Sequence, residues 1–409
     1  MSKLAYEKAR EILLEQVIPV GTEVIATEVS AGRVMADALI AAENVPAFDR
    51  SPYDGYAFRS EDSRNAGRDT PVTLRVLEEI PAGTVPKYEI TKGTAARVMT
   101  GAPIPHGADA VVMYEKTEFT KSEVRIFTPA KPGENVIYAG EDVRKGTVLA
   151  PAGSVIDGGL CGSLAAQNKA VVRVYGKPVI GIISTGSELL EPGNDPEPGK
   201  IINSNRFTFA AELLKLGCTP VFLGTAGDDP QDICDLIRKG SLNCDGILLT
   251  GGVSVGDFDY TPQAMEMAGA ELLFHGVDIK PGMACAYGVM RNKEKKILVC
   301  GLSGNPASSL TNYHVLAVPA LRKLSGRREA LWLPEPFPVK LAEGFGKASP
   351  GTRFLRGYLD LGDGTACMHI SKDQGNVILS SAIGTNVMAV IPAGSGPVVP
   401  GSILQAFWL

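Results

Sequence analysis

The segment LLTGGVSVGDFDYT, residues 248–261, ends an apolar run at two glycines and then places two carboxylates, Asp257 and Asp259, close together. Glycine allows the backbone to approach an anion closely. Clustered carboxylates beside a phosphate site commonly hold Mg²⁺ together with phosphate oxygens. Thr261, with Pro262 next, is the expected cap of a following helix, so neither aspartate is needed there. The segment therefore indicates a loop that binds an anion and its metal ion.

Two further loops are rich in Gly and Ser, and each follows a predicted strand: ISTGSELLEPG at 183–193 and GLSGNPASS at 301–309. Free N–H groups at such turns and at helix starts attract negative charge. Neither loop matches the GxxxxGK[ST] or GxGxxG pattern, and each alone is also typical of an ordinary turn. Together the three loops predict an oxyanion or phosphate crevice, with candidate contacts at Ser184, Thr185, Gly186, Gly251, Gly252, Gly304 and Asn305.

Further carboxylates stand in predicted loops of the same region, at Glu188 and at Asp228 with Asp229. Asp229 precedes Pro230, and an aspartate in that position is typical of a helix N-cap. The sequence leaves both interpretations of Asp229 open, as a cap or as a metal ligand. Glu188 and Asp228 are candidates for metal binding.

Predicted strands and helices alternate from Lys177 to about residue 326, and these elements would position the loops. The predicted strands are PVIGIIS, TPVFLGTAG, DGILLTGG and KKILVCGLSG, and a helix follows each of them. We expect the first of these helices to begin at a cap, Asn203 or Ser204, and to end at Gly217. This alternation predicts a doubly wound parallel sheet covered on both faces, with ligands beyond the carboxyl ends of its strands.

The chain changes character on both sides of this α/β region. An N-terminal helix is followed by short β-type runs broken by Gly and Pro, and β-type runs return after Leu331. The turn density favours small β-rich modules over helices. We therefore predict an N-terminal region at 1–176, an α/β domain at 177–326 and an all-β domain at 327–409.

Composition narrows the classes of function. The chain has 409 residues, a net charge of −5 and seven cysteines that form no CxxC pair. An acidic chain is a poor general binder of nucleic acid or anionic membrane, and scattered cysteines favour reduced thiols in a cytoplasmic protein. No window approaches the roughly 18 apolar residues of a membrane span, and the N-terminus lacks the apolar core of a signal peptide.

Eight segments in the same order resemble the molybdopterin molybdenumtransferases, the bacterial molybdate insertases that share their architecture with the gephyrin E-domain. The segments are FDRSPYDGYAF, RVMTGAPIPHGADAVVMYE, GENVIYAGEDVRKGTVLAPAG, STGSELLEPG, GKIINSNR, LTGGVSVGDFDYT, IKPG and GNPASS. The resemblance runs from the first helix to the last strands.

This resemblance implies a fold and a reaction. The fold would be a homodimer whose subunits carry a β-rich lobe inserted at about 45–145, a molybdopterin-binding type central domain and a C-terminal β-barrel. The reaction would join adenylylated molybdopterin and molybdate and release AMP, with Mg²⁺ present. The partner subunit's lobe would complete the active site, and a molybdopterin adenylyltransferase is a possible protein partner.

The resemblance also implies roles for individual residues. The acidic positions of the family are retained as catalytic candidates, of which the last three would hold the metal: Asp54, Asp142, Glu188, Asp228 and Asp259. Substrate contacts carried over from the family or retained as possible donors are Thr100, Lys280, Arg356, Ser254, Ser308, Ser380 and Ser381. A guanidinium such as that of Arg356 is suited to hold an oxyanion by paired hydrogen bonds.

The chain departs from the family pattern on the expected oxyanion side. It reads IKPGMA where the family usually reads IKPGKP, so Met283 and Ala284 replace a lysine and a proline. Ser303 replaces a proline, and Asn376 stands where serine is common. A methionine cannot donate a hydrogen bond to molybdate. Weaker molybdate binding, a preference for tungstate or a paralogue with a shifted role would each follow from this change.

Two rival functions stay open at this stage. One is a molybdopterin adenylyltransferase, because the central domain alone does not distinguish the two enzymes. The other is a pterin-binding or scaffold paralogue. The β-rich lobes and the DGYA segment favour the insertase over the first rival, and the retained acidic positions favour it over the second.

Overall fold

A computed structural model describes residues 4–254, 259–292, 295–362, 364 and 366–409, so the predicted ligand Asp257 lies outside the described residues. The described residues group into two compact units. The first comprises Met1–Asp37, Ala152–Gly158 and Val171–Leu409, and the second comprises Ala38–Pro151 and Gly159–Ala170. The domain boundaries drawn from the sequence stay predictions.

The α-helices lie at the following positions: α1 (Tyr6–Gln16), α2 (Gly158–Ala166), α3 (Asn205–Leu216), α4 (Pro230–Asn243), α5 (Thr261–Met267), α6 (Pro306–Asn312) and α7 (Val318–Leu324). A π-helical stretch, Tyr313–Ala317, joins α6 to α7, so the long helix predicted there is continuous but locally widened. No helix within the described ranges is long and apolar enough to cross a membrane.

Apart from β4, the strands of the N-terminal part are short: β1 (Thr22–Ala26), β2 (Leu39–Ile40), β3 (Gly55–Phe58), β4 (Val72–Ile80), β5 (Thr94–Val98), β6 (Ala110–Met113), β7 (Thr117–Phe119), β8 (Glu123–Ile126), β9 (Val148–Ala150) and β10 (Val171–Tyr175). The second unit contains a mixed sheet in the order β6-β3-β5-β4-β8-β7. The β-rich character predicted for this part is therefore confirmed.

The remaining strands build the rest of the first unit: β11 (Val179–Thr185), β12 (Leu189–Leu190), β13 (Ile201–Ile202), β14 (Thr219–Ala226), β15 (Gly246–Thr250), β16 (Glu271–His275), β17 (Ile279–Lys280), β18 (Cys285–Asn292), β19 (Lys295–Leu302), β20 (Phe337–Leu341), β21 (Thr352–Asp360), β22 (Cys367–Ile370), β23 (Val387–Ile391) and β24 (Ile403–Trp408).

The central sheet has the order β14-β11-β15-β19-β18-β16. Its first four strands are parallel, which confirms the doubly wound arrangement predicted from the sequence. The sequence reading missed β18 and β16, which extend the sheet antiparallel, so the sheet is mixed. Only two residues separate β18 from β19, and so short a connection can join antiparallel neighbours but not parallel ones.

Helices bury both faces of this sheet. Ile180, Ile182 and Leu248 pack with α1, α3, α6 and α7 on one face. Ile247 and Leu249 pack with α4 and α5 on the other. Alternate residues of a strand point to opposite faces, so strands buried on both sides read as continuous apolar runs. The loops at the carboxyl ends of the strands are thereby fixed to a rigid base.

The C-terminal part is all β, as predicted. Among the described residues its strands run in the order β21-β22-β20-β24-β23, and pairing of β21 with β23 closes them into a barrel. Strand β17 pairs in parallel with the first two residues of β21, Thr352 and Arg353. Closure leaves the barrel strands without free edges.

The predicted helix ends are partly confirmed. Gly217 ends α3 in the left-handed conformation, with φ of 88°. Ser204 occupies the N-cap of α3 but makes no side-chain cap hydrogen bond. The prediction that Thr261 caps α5 is wrong, because Thr261 is the first residue of the helix and Tyr260 is the N-cap. The Thr261 hydroxyl instead donates to the Gly251 carbonyl at 2.9 Å.

Asp229 is the N-cap of α4, where its carboxylate accepts a hydrogen bond from the Gln231 N–H at 2.8 Å. We expect Asp229→Ala to lower the free energy of unfolding by about 1 kcal/mol, because the substitution leaves that N–H without its partner. Asp232→Ala, in the first turn of the same helix, is the matched control and should cost only a few tenths of a kcal/mol. Denaturant unfolding of both variants checks this, and equal losses would contradict the capping role.

Candidate functional site

A cleft of about 730 Å³ opens where β11, β15 and β19 end. This is where an open α/β sheet presents its loops to ligands. The lining residues come from the loops after these strands and after β14, from the segment before α3 and from the C-terminal part. They are Thr185, Gly186, Glu188, Leu189, Ile201, Ile202, Asn203, Ser204, Asn205, Asp228, Thr250, Gly251, Gly252, Val253, Ser254, Asp259, Ser303, Gly304, Asn305, Pro306, Val377 and Leu379. The three predicted loops therefore meet in one cleft.

The backbone of the second loop lies directly on the first. A Cβ atom on Gly251, whose φ is 107°, would come within 2.6 Å of the Thr185 carbonyl oxygen. Three hydrogen bonds hold the loop in this place. Gly251 N–H donates to the Leu302 carbonyl, and Gly251 and Gly252 carbonyls accept from the hydroxyl and the N–H of Thr261, all at 2.9 Å. The two glycines are thus required by close packing and by backbone conformation together.

Glu188, Asp228 and Asp259 all line the cleft, as the sequence predicted. Asp228 accepts hydrogen bonds from the N–H and the hydroxyl of Ser187. The Glu188 carboxylate lies against Gly186, so a side chain at position 186 would require the carboxylate to move. Within the described residues, however, no three His, Cys, Asp or Glu side chains are close enough to form a metal cage. The structure brings the carboxylates to one cleft without preforming a complete metal site.

Most of the predicted anion contacts lie where the sequence placed them. Thr185, Gly186, Gly251, Gly252, Ser254, Gly304 and Asn305 line the cleft. Ser184 is fully buried behind the lining, and its hydroxyl exchanges hydrogen bonds with the Asn203 side chain. Ser184 therefore acts on the shape of the cleft through Asn203.

The sequence reading missed Asn203 and Asn205 as site residues. Asn205 donates from Nδ2 to the Gly304 carbonyl at 2.8 Å, which ties the segment before α3 to the GNPASS loop. Its Oδ1 atom is buried and has no hydrogen-bond partner among the described residues. The segment INSNR carries the signal, but asparagine before a helix is equally typical of a cap, and Asn203 is predicted above as one of two possible caps.

Several further predicted contacts lie outside the cleft lining, among them Ser380 and Ser381 in the 3-10 helix Leu379–Ala382. The Ser308 hydroxyl accepts a hydrogen bond from the Gly282 N–H at 2.9 Å, in a buried position. Arg356 is fully buried, donates to the Ser381 hydroxyl at 3.0 Å, and has its pKa lowered by that burial. Lys280 is exposed in β17. In this structure Ser308 and Arg356 connect elements around the cleft.

Met283 follows the IKPG segment, at the position where the family usually has lysine, and it is exposed to solvent. The Met283 side chain is 44% exposed, and its carbonyl accepts a hydrogen bond from the Val277 N–H at 3.1 Å. Gly282 before it is held by the Asn312 side chain, which donates to its carbonyl at 2.7 Å. The backbone of this segment is therefore anchored independently of the side chain at position 283.

Asp54, Thr100 and Asp142 belong to the second compact unit. Asp54 accepts hydrogen bonds from the Thr100 N–H at 2.7 Å and from its hydroxyl at 2.8 Å. The backbone hydrogen bond first, and then the hydroxyl, lower the pKa of Asp54 below its ordinary value. Asp142 is exposed, and its N–H donates to the Val45 carbonyl. Asp54 is thus a solvent-facing carboxylate kept ionised and fixed in direction.

Comparison with known families agrees with this architecture. Residues 4–167 match the family model of the MoeA N-terminal region (domain I and II). Residues 181–323 match that of a probable molybdopterin binding domain, which covers the central sheet and most of the cleft. Together with the fold, these matches define a protein of molybdenum cofactor biosynthesis.

Similar proteins cover nearly the whole chain. It is 36% identical to a molybdopterin molybdenumtransferase of Bacillus subtilis, over 94% of this chain and 89% of the relative. A molybdopterin molybdenumtransferase of Nostoc is 36% identical over 91% and 85%. The crystal structure of a molybdopterin biosynthesis moeA protein from Pyrococcus horikoshii superimposes with a TM-score of 0.85 at 31% identity, over 100% of both chains. The chain belongs to the molybdopterin molybdenumtransferase family.

The close packing of Gly251 on Thr185 can be tested by comparing alanine substitutions at Gly251 and at Gly269, a second glycine with positive φ. We expect Gly251→Ala to lower the free energy of unfolding by about 1–3 kcal/mol more than Gly269→Ala, because overpacking adds to the backbone strain. Gly269 has φ of 93° and nothing within 4 Å of an added Cβ, so it carries the strain without the collision. Denaturant unfolding of both variants measures the difference. Equal losses would show that the loop yields easily and that Gly251 is not required by packing.

Proposed function

We propose that this chain inserts molybdate into adenylylated molybdopterin and releases AMP, with Mg²⁺ bound at the cleft. The observation that carries the proposal is the meeting of three Gly-rich loops and three carboxylates in one cleft of about 730 Å³. Bare backbone suits the phosphates of a nucleotide, and carboxylates suit the metal ion that neutralises them. A pocket of this volume is in the range of those that hold small-molecule ligands.

The carboxylates of the cleft fit a magnesium ion that is bound together with its substrate. Mg²⁺ usually takes one or two carboxylates, keeps waters and completes its shell with substrate phosphate oxygens, so a three-residue protein cage is not needed. Glu188, Asp228 and Asp259 are the candidate ligands, because all three line the cleft, and one or two of them would hold the ion. When bound, the ion would withdraw charge from the pyrophosphate and thereby assist its cleavage.

The other residues of the cleft act by positioning. The described lining contains no histidine or cysteine, so the residues on hand favour neither a thiol nucleophile nor an imidazole base. The loop of Gly251 and Gly252 is fixed by Thr261. The unpaired Asn205 Oδ1 is available to accept an N–H from the substrate. Holding a pterin nucleotide and an oxyanion together converts their encounter into a step within one complex.

Asp54 and Thr100 support a homodimer as the working form. Asp54 makes no ion pair among the described residues, although Thr100 fixes its direction, which is typical of a carboxylate held for a ligand or a partner. The family resemblance implies that this lobe completes the site of the partner subunit together with Asp142. We place the enzyme in the cytoplasm, where a molybdopterin adenylyltransferase would supply its substrate.

The metal assignment predicts that substitutions of neighbouring aspartates change AMP release to different extents. Asp228→Asn and Asp259→Asn should each reduce AMP release from adenylylated molybdopterin by at least about a hundredfold, as expected when an electrostatic stabiliser is removed. Asp229→Asn is the matched control, because Asp229 caps α4 and asparagine caps a helix equally well. AMP release is measured with molybdate and Mg²⁺, after denaturant unfolding has shown that all three variants are folded.

The assignment of the metal ligands and the assignment of the reaction can be contradicted separately. Normal AMP release by Asp228→Asn and Asp259→Asn would remove both residues from the metal site. An equal loss in Asp229→Asn would mean that the assay reports damage to the loop and not loss of a ligand. Consumption of ATP and unadenylylated molybdopterin by the unaltered protein would instead support an adenylyltransferase.

A further inference from the structure

A second cavity, of about 140 Å³, lies among the ends of α3 and α7, the π-helical stretch and the last residues of the chain. We call it the arginine cavity, after Arg322 and Arg327, which line it with Tyr313. Among the described residues it shares no lining residue with the cleft. Helix α3 ends here, whereas the segment before α3 lines the cleft, so the cavity lies toward the other end of the sheet strands.

The arginine cavity contains buried hydrogen-bond donors that have no acceptor. The Nε atoms of Arg322 and Arg327 and the hydroxyl of Tyr313 are buried and make no hydrogen bond within the described part of the chain. Tyr313 is 0% exposed. A guanidinium only donates, so two of these groups can be satisfied only by an acceptor. Buried polar groups without partners are rare in native proteins and call for a bound species.

The cavity also concentrates positive charge. Neither arginine forms an ion pair with a carboxylate in the described residues, and Lys215 lines the same cavity. Burial, and next the charge of Arg327, lower the pKa of Arg322, so the two guanidinium groups lie close enough to repel one another. Both arginines are half-buried, and a charge that has lost part of its hydration is stabilised by a counter-charge nearby.

Glu212 is the acidic side chain among the residues that line the cavity. The Glu212 carboxylate lies 3.6 Å from Nε2 of His314, and burial raises the pKa of Glu212, which favours its neutral form. Burial lowers the pKa of His314 to about 3, so this ring is neutral at pH 7. Lys215 donates to the Leu409 carbonyl oxygen at 3.0 Å, so Arg322 and Arg327 are the cations of the cavity that remain for an anion.

Capping of helix ends explains only part of the arginine contacts. Arg327 donates from an Nη atom to the Leu216 carbonyl at the end of α3, and Arg322 donates to the Trp332 carbonyl at 3.4 Å. Each contact uses one of the five N–H groups of a guanidinium. The Nε–H groups remain for another acceptor.

We propose that the arginine cavity binds a small oxyanion of the inorganic phosphate class, held by Arg322, Arg327 and the Tyr313 hydroxyl. Guanidinium groups bind such anions through paired hydrogen bonds, and a tyrosine hydroxyl supplies a further donor. The volume of about 140 Å³ admits a free oxyanion but is much smaller than the cleft proposed to hold a pterin nucleotide. The site is separate from the proposed reaction, and it would make the stability of the chain depend on oxyanion concentration.

Calorimetric titration with inorganic phosphate, at constant ionic strength maintained with chloride, tests the proposal on the full chain. The unaltered protein should bind one phosphate in the arginine cavity. Arg327→Gln should weaken this binding at least tenfold, since it removes a charged donor. Arg328→Gln is the matched control, because this neighbouring arginine does not line the cavity, and its phosphate affinity should be unchanged.

A second variant protects the test against misfolding. Tyr313→Phe keeps the ring and removes only the hydroxyl, so it should fold and still bind phosphate several-fold more weakly. Thermal unfolding should show that phosphate raises the Tm of the unaltered protein more than that of either cavity variant. Absence of phosphate binding to the unaltered protein, as expected if water or a partner subunit's carboxylate fills the cavity, overturns the proposal. Equal affinity in Arg327→Gln overturns it as well.

Discussion

The contact of the Gly251 backbone with Thr185 is the constraint on which the cleft depends. A Cβ atom at position 251 would lie 2.6 Å from the Thr185 carbonyl oxygen, so the loops after β11 and β15 can meet only through glycine. Thr261 holds the same loop from the other side through its hydroxyl. Strands buried on both faces fix where these loops start, and the glycines fix how closely they meet. The space that remains beyond them is the cleft.

The cleft and the region around Asp54 differ from the arginine cavity in the sign of the charge that they present. The whole chain carries a net charge of −5, and carboxylates line the cleft, so a negatively charged substrate needs a bound cation there. The arginine cavity has the opposite character and needs an anion. Asp54, in the second unit, is kept ionised by hydrogen bonds from Thr100. Carboxylates in the cleft and arginines in the arginine cavity thus give the two proposed sites opposite electrostatic character.

Sequence reasoning found the parts of the molecule that depend on local pattern. Apolar runs predicted the parallel strands, and residue types and spacing predicted Gly251 and Asp228 in the cleft. For Asp229 the sequence left a cap and a metal ligand open, and the structure shows the cap. It missed what depends on tertiary contact. Thr261 before a proline resembles a cap, and only the fold shows that its hydroxyl reaches Gly251. The antiparallel β18 and the role of Asn205 depend on neighbours far away in the chain.

The most direct test of the central claim is AMP release from adenylylated molybdopterin by the unaltered protein with Mg²⁺, in the presence and absence of molybdate. If the cleft is the site of an insertase, molybdate stimulates AMP release and molybdenum is recovered on the pterin in equal amount. The same assay with tungstate in place of molybdate shows whether a chain with the exposed Met283 prefers tungstate. If the pterin nucleotide binds but neither oxyanion stimulates AMP release, the chain is a pterin-binding protein and the insertase account is wrong.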